Sequence, residues 1–213
     1  MTKPKATMLS LDLEMTGLDP TRDVILEIGG VAVDDNLQEV SRFEAVASYP
    51  HIALRNMNPL VTEMHTGNGL IEAVGKSRQS LDMVAFDFME WMLEHFGLAA
   101  EQGAVRLLGD CVHLDWEFLR HRLPVVFSAL NYEHRDIGSA YAFLKGLGFE
   151  PPADPGPPEG MKRHRALPDA LGAVEWAKLM LQWMNHNAPP MPGGAAKEHF
   201  ALACEEECGR GNL

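Results

Sequence analysis

One short segment near the start of the chain constrains the fold more than any other. In residues 8–14, every second residue is a leucine, and the residues between the leucines include Asp12 and Glu14. A period of two is the pattern of a β-strand, whose successive side chains point to opposite faces. The segment therefore predicts a strand with one face in an apolar core. Its opposite face carries two carboxylates, roughly 6.5–7 Å apart along the backbone.

The rest of the chain predicts a mixed α/β protein. In chain order, the further predicted elements are strands at 24–34, 40–49 and 105–108, and helices at 81–96, 115–122, 139–147 and 168–184. The first three strands follow one another closely, which predicts an antiparallel meander. Five prolines between residues 151 and 160 exclude regular structure there, so a loop precedes the last helix.

Length and composition suit one soluble globular domain. The 213 residues favour a single domain over 1–187, and the Pro, Gly and Ala content after it predicts a flexible tail over 188–213. A formal net charge of −12 argues against broad coating of long duplex nucleic acid, although it allows an enzyme that holds a few phosphates through metal ions. Three cysteines predict a reducing, cytoplasmic location, and we expect neither a signal peptide nor a membrane span.

Carboxylates and a histidine stand where a phosphodiester hydrolase needs them. Asp115 follows the short buried strand and opens a helix, and Asp169 lies in the first turn of the last helix, after His164 on the preceding loop. With Asp12 and Glu14 they supply four anionic groups for two divalent cations about 3.5–4 Å apart. A histidine with a near-neutral pKa is a natural base for the attacking water.

Each of these residues also has an ordinary structural interpretation. Asp12 and Glu14 could be two acids on a solvated strand face. Asp115 could be a first-turn acid that the helix dipole favours, and His164 could be a surface histidine among basic neighbours. The joint arrangement favours the site, because no other set of residues in the sequence is as coherent.

Taken together, the motifs resemble the DEDDh family of 3′–5′ exonucleases, and oligoribonuclease most closely within it. The motifs are DLEMTGLDP around Asp12, GDCVHLDWEFL around Asp115 and HRALPDA from His164 to Asp169. HTGNGL, which begins at His65, resembles a segment found between the first and second motifs. The resemblance covers roughly residues 6–185 and implies an RNase H-like exonuclease fold: a mixed five-stranded sheet flanked by helices.

The resemblance also implies roles for individual residues. Two Mg²⁺ or Mn²⁺ ions would be held by four acids: Asp12, Glu14, Asp115 and Asp169. His164 would deprotonate the attacking water, and the product would be a nucleoside 5′-monophosphate. The residues expected at the substrate are Met15, Gly17, Leu18, His65 and Tyr132. The family likeness and Tyr132 also suggest a homodimer.

Three of the substrate residues keep alternatives. Leu18 could pack under the following loop, and His65 could cap a helix or bond a backbone carbonyl. Tyr132 could be an interface or surface aromatic that contacts no ligand. The chain also departs from the family pattern: Asp110, Glu133 and Gly138 stand where the family has Asn, Arg and Ser, and Leu60 replaces an aromatic residue. The resemblance therefore predicts hydrolysis but not a strict preference for dinucleotides.

The sequence thus favours a metal-dependent 3′–5′ exonuclease that acts on short or single-stranded RNA or DNA, with oligoribonucleotides as the first substrate to try. One alternative is a proofreading or processing exonuclease for DNA 3′ ends. Another is a non-catalytic nucleic-acid-binding homologue that keeps the fold and has lost the activity.

Overall fold

A five-stranded mixed sheet organises the protein. The computed structural model describes residues 6–50, 54–55 and 57–187. The strands are β1 (Met8–Met15), β2 (Ile25–Val33), β3 (Glu39–Val46), β4 (Arg106–Gly109) and β5 (Arg135–Asp136). Their order across the sheet is β3-β2-β1-β4-β5. The β1–β2 and β2–β3 pairs are antiparallel, and the β1–β4 and β4–β5 pairs are parallel. The predicted meander and mixed five-stranded sheet are confirmed.

Helices cover both faces of this sheet. They are α1 (Pro59–Gly67), α2 (Leu70–Lys76), α3 (Leu81–Phe96), α4 (Leu98–Glu101), α5 (Val112–Arg122), α6 (Pro124–Phe127), α7 (Ile137–Gly146) and α8 (Ala166–Asn187). The leucine face of β1 packs in one apolar cluster with α3 and α5, through residues such as Phe88 and Phe118. The opposite face is covered mainly by α8, which forms a second cluster with Val31 and Val33 of β2.

The central strands are buried on both faces, because α8 lies directly on them. Every residue of β2 is buried. A Cβ at Gly29 would lie only 2.2 Å from the backbone of Ala166, so glycine permits the start of α8 to touch the sheet. On β1, the Ser10 hydroxyl donates to the carbonyl of Ala170 at 2.8 Å. The first turns of α8 are therefore fixed against the middle of the sheet.

Several predicted boundaries need correction, and each shift has a local cause. Helix α8 begins at Ala166 rather than at 168, because the Ala166 amide already has an acceptor in the Glu27 carboxylate, at 3.0 Å. Helix α5 begins at Val112 rather than at 115, and α7 begins at Ile137 rather than at 139. One side chain, Asp136, explains both starts: it accepts from the Val112 amide at 3.1 Å and from the Ser139 amide at 2.8 Å.

Other elements were not predicted, or lie outside the described part of the chain. Helices α1 and α2 had no counterpart in the sequence interpretation, and neither did the two-residue β5. The proline-rich segment 151–160 has no helix or strand, as predicted. The predicted tail at 188–213 lies outside the described residues, and the domain boundary at 187 stays a prediction. Within the described ranges, no helix combines the length and apolarity needed to cross a bilayer.

Candidate active site

Strand β1 carries the first two acids into the space below the start of α8. Glu14 is buried, with 7% of its surface exposed, and Asp12 is partly buried. Leu9, Leu11 and Leu13 fill the core on the other side of the strand. The alternation of the sequence therefore has the predicted geometric result, and the core packing fixes the direction in which both carboxylates point.

Asp115 reaches the same place from α5. It lies in the first turn of that helix, and its Oδ1 accepts a hydrogen bond from the Leu13 amide at 3.2 Å. Strand β1 pairs with β4 only from Met8 to Ser10, so no β4 residue pairs with Leu13. The carboxylate occupies the position that another strand would take, and it is tied to the residue between Asp12 and Glu14.

Asp169 and His164 come from the start of α8. Asp169 lies in the first turn, and its Oδ2 accepts from the His164 amide at 2.7 Å. His164 itself is exposed and has a φ of 58°, in the left-handed region that non-glycine residues seldom adopt. Ligand atoms of Glu14, His164 and Asp169 lie within 4.8 Å of one another.

The four acids repel one another electrostatically. Burial, followed by the charge of Asp169, raises the pKa of Glu14 to about 8. The pKa of Asp12 is raised by burial and then by the neighbouring carboxylates, with Asp115 first among them. Burial raises the pKa values of Asp115 and Asp169 as well, although hydrogen bonds from backbone amides lower them in part. Burial is the largest cause of each shift, and for Asp12 and Glu14 the charges of the other acids add to it, as expected where carboxylates lie close together.

This donor set fits a divalent cation. Hard cations such as Mg²⁺ and Mn²⁺ prefer carboxylate oxygens, and a bound cation favours the ionised form that burial opposes here. Glu14 and Asp169, together with Asp12 and Asp115, supply oxygen donors from three separate elements. The structure therefore contains a candidate metal site.

A cavity of about 200 Å³ opens beside these acids. Asp12, His164 and Asp169 line it, together with residues that sequence reasoning did not assign to the site, namely Asp110, Asp154, Gly156, Arg163 and Trp176. The proline-rich loop forms one wall: Asp154 binds Arg163 at 2.8 Å, and Gly156 packs against Gly172 of α8. Only the position of the loop just before His164 in the sequence hinted at this wall.

A larger cavity, of about 840 Å³, lies beyond the end of β1. Its lining includes Gly17 and Leu18 together with Arg22, Met57 and Leu60. The Leu18 side chain is 73% exposed, so the alternative that it packs under the following loop is not realised. Met15 is buried, and its carbonyl faces the interior. The predicted substrate contacts of Met15, Gly17 and Leu18 stay predictions, and the open cavity is compatible with them.

His65 and Tyr132 occupy opposite environments. The His65 side chain is fully buried; its Nε2 lies 3.0 Å from the Met15 carbonyl and 3.7 Å from Glu14 Oε2. It therefore bonds a backbone carbonyl, as one alternative held, and it lies in the interior next to Glu14. Burial lowers its pKa. Tyr132 is 78% exposed, and its predicted role at the substrate stays a prediction.

The structure gives physical reasons for two departures from the family pattern. A Cβ at Gly138 would lie 1.9 Å from Asp110 Oδ1, so the aspartate occupies the space that a serine at 138 would need. Glu133 is paired with Arg106 at 3.1 Å, so its negative charge is compensated within the chain.

One ion pair that the sequence did not predict lies beside the acids. Glu27 of β2 faces Glu14 across the β1–β2 register, and its side chain is completely buried. It binds Arg165, the neighbour of His164, with nitrogen–oxygen distances down to 2.5 Å. A charged residue within the apolar strand ILEIGGVAV was the signal that could have revealed it.

The chain matches a known protein family. The family model RNase_T, described as exonuclease, matches residues 9–176. The chain is 31% identical over 137 residues to an oligoribonuclease of Haemophilus ducreyi, covering 62% of this chain and 70% of that protein. It is 33% identical over 172 residues to a probable oligoribonuclease of Dictyostelium discoideum, covering 80% and 86%.

A solved structure shares the fold. Exonuclease I of Methylocaldum szegediense superimposes with a TM-score of 0.57 at 18% identity, over 86% of this chain. The match covers 41% of that longer protein, so this chain corresponds to about two fifths of it.

The chain thus belongs to the exonuclease family. The two relatives named above are an oligoribonuclease and a probable oligoribonuclease, which confirms the resemblance found in the three motifs. The expected RNase H-like α/β fold is likewise confirmed.

Proposed function

We propose that this protein is a metal-dependent 3′–5′ exonuclease that degrades short single-stranded nucleic acid to nucleoside 5′-monophosphates, with oligoribonucleotides as its first substrate. The observation that carries the proposal is the convergence of four acids and His164 at the start of α8. The three motifs lie far apart in sequence and meet only because the sheet and α8 bring them together. The oligoribonuclease relatives support the choice of substrate.

The residues of the chain divide the work of hydrolysis. Asp12, Glu14, Asp115 and Asp169 would hold two Mg²⁺ or Mn²⁺ ions. Such ions, when bound, activate water and stabilise the charge that develops on the phosphoryl oxygens. His164 is exposed at the cavity, so its imidazole can accept the proton of the attacking water. The Asp169 carboxylate fixes the backbone of His164 by accepting from its amide.

The neighbouring surfaces would place the 3′ end. The open cavity beside Gly17 and Leu18 has apolar and polar walls, which suits a terminal nucleoside. The nearby basic side chain of Arg22 lines the same cavity and can attract phosphate. A chain with net charge −12 has little basic surface for long polymers, which favours short substrates. A homodimer and a cytoplasmic location remain proposals drawn from the sequence.

The test is product analysis on 5′-labelled RNA and DNA ladders, two to twenty nucleotides long, with Mn²⁺. We expect stepwise shortening from the 3′ end and release of nucleoside 5′-monophosphates, with RNA cleaved at least as fast as DNA. The control is Asp12→Asn under the same conditions, which should leave the ladders intact.

Three outcomes would contradict parts of the proposal. DNA cleaved more than about tenfold faster than RNA, a barrier difference of roughly 1.4 kcal/mol, would indicate a DNA-processing enzyme. Internal cleavage would exclude an exonuclease. Intact ladders with wild-type protein, together with tight binding of the oligomers, would indicate a non-catalytic binding homologue.

A further inference from the structure

An ion pair between a fully buried carboxylate and a partly exposed arginine anchors the segment that carries His164. Glu27 has no exposed surface, and its carboxylate accepts from Arg165 Nε at 2.9 Å and from Arg165 Nη2 at 2.5 Å. The same carboxylate accepts from the Ala166 amide at 3.0 Å. One side chain on the sheet therefore holds two consecutive residues, and these directly follow the proposed base.

The other side of His164 is also held. The Asn68 side chain donates to the His164 carbonyl, and Lys162 Nζ donates to the Gly67 and Asn68 carbonyls at 3.3 and 3.4 Å. Between the two anchors, His164 keeps its left-handed backbone with a φ of 58°. Such a conformation persists in a non-glycine residue only when the surroundings determine it.

The strength of the two anchors differs. The contacts of Lys162 and Asn68 lie at the surface, where solvent competes with them. The carboxylate of Glu27 is bidentate to Arg165 in the interior, which fixes the geometry as well as the distance. Gly29, two residues further along β2, allows the backbone of Ala166 to touch the strand. Strand β2 thus contacts the start of α8 at two positions on the same face, Glu27 and Gly29.

We propose that Glu27 is a positioning residue, which sets the location of His164 and Asp169 relative to the β1 carboxylates by clamping Arg165 and Ala166. It acts through these residues and has no contact with the reacting atoms. The inference rests on the function proposed above, because it assigns Glu27 to the geometry of that site.

The chain offers a matched control. Glu44 of β3 approaches the same Arg165 at 3.5 Å, but its side chain is 42% exposed, and no hydrogen bond joins it to Ala166. Glu44→Gln therefore removes one negative charge near Arg165 without releasing the clamp. Glu27→Gln removes the same charge inside the clamp while keeping the size of the side chain.

The first measurement is steady-state cleavage of a short RNA. For Glu27→Gln we expect kcat to fall by about 10- to 100-fold with KM changed less than about 3-fold, since misplacement of a catalytic group acts on the chemical step. Glu44→Gln should stay within about 2-fold of wild type in both constants. Arg165→Lys keeps the positive charge but loses the paired hydrogen bonds that the guanidinium donates to Glu27. It should also lower kcat with little change in KM, but by a smaller factor than Glu27→Gln.

The second measurement does not depend on activity. Histidine-ring ¹H–¹⁵N spectra of the metal-free protein, with the His164 signals assigned by their absence in His164→Gln, should show shifted or broadened His164 signals in Glu27→Gln and unchanged ones in Glu44→Gln. If Glu27→Gln does not fold, Arg165→Lys, whose side chain is partly exposed, gives the same comparison.

The two measurements separate this inference from the function on which it rests. A folded Glu27→Gln protein with wild-type kcat and wild-type His164 signals would overturn the positioning role. So would a loss of activity that only matches the fraction of unfolded protein. Wild-type protein that cleaves no oligomer would remove the proposed function, whereas the spectra would still decide whether Glu27 anchors His164.

Discussion

The two faces of β1 have opposite chemistry. Leu9, Leu11 and Leu13 lie in the apolar core, where each buried leucine contributes about 1.5–3 kcal/mol. On the other face, burial raises the pKa of Glu14 to about 8, so its ionised form is disfavoured. The same strand therefore stabilises the fold on one side and holds mutually repelling carboxylates on the other.

Separate contacts on the two faces of β1 hold the acids in place. Mutually repelling acids do not gather without support, and a flexible scaffold would separate them. Here each element is fixed by its own contact. The leucine face holds β1 in the core, Gly29 lets α8 touch the sheet, and the Leu13 amide donates a hydrogen bond to Asp115 of α5. Substitutions on the two faces should consequently have different effects: on one face they should remove stability, and on the other they should remove activity.

The largest expected effect is on the carboxylate face. Asp12→Asn keeps the volume of the side chain and removes a charge, so cleavage of short RNA should fall by about 10³-fold or more, or roughly 4 kcal/mol in barrier. In the absence of metal, the thermal unfolding temperature of the variant should equal or exceed that of wild type. A variant with normal cleavage would show that Asp12 is not part of the site.

The leucine face should respond in the opposite way. Leu9→Ala leaves a cavity at a fully buried position and should lower the free energy of unfolding by about 2–5 kcal/mol. Urea denaturation measures this loss. Activity per folded molecule should stay within a few-fold of wild type at low temperature, and a loss comparable with that of Asp12→Asn would contradict the separation of the two faces.

The pH dependence should distinguish the faces as well. The folded-state pKa of Glu14, about 8, lies above its ordinary value of 4.5. Protonated Glu14 is therefore fully compatible with the folded metal-free protein below about pH 4.5. The unfolding free energy then falls as the pH rises toward 8 and the buried carboxyl must ionise. In EDTA at pH 8, Glu14→Gln should be more stable than wild type by roughly 2–4 kcal/mol, and the difference should shrink at pH 5. Urea denaturation at pH 5 and pH 8 measures the difference in unfolding free energy between Glu14→Gln and wild type. An equal difference at both pH values would refute this prediction.

A residue on neither face gives the smallest effect. Leu18 is exposed beside the large cavity, so Leu18→Ala should leave the unfolding free energy within about 0.5 kcal/mol of wild type. If Leu18 packs on the terminal nucleoside, KM for short RNA should rise by roughly 3- to 10-fold with little change in kcat. An unchanged KM would remove Leu18 from the substrate site.

The sequence predicted the parts of the site that depend on strong local patterns. The alternation of β1 fixed the side on which Asp12 and Glu14 lie. The helical spacing after residue 168 placed Asp169 in a first turn. The joint order of the motifs pointed to the family, because two of them are specific and all three lie in the expected sequence.

The missing parts depend on tertiary contacts with weak local signals. Helices α1 and α2 are short and adjoin at Gly69, which has a positive φ of 89°, so neither shows a sustained apolar period. Strand β5 has two residues, too few for any periodicity. The pairing of Glu27 with Arg165 joins residues 138 positions apart. No local pattern encodes such a contact, although a buried charge always requires a partner.

We expect acids from three elements to form a metal site on which cleavage depends. The most direct test is calorimetric titration of Mn²⁺ into metal-free wild type, Asp12→Asn and Asp169→Asn, with RNA cleavage followed in the same samples. We expect wild type to bind Mn²⁺ at or below millimolar concentration and to cleave RNA, while both variants bind at least about tenfold more weakly and leave the RNA intact. Folded wild-type protein that binds no Mn²⁺ at millimolar concentration, or variants that cleave RNA as fast as wild type, would show that these acids do not form the metal site.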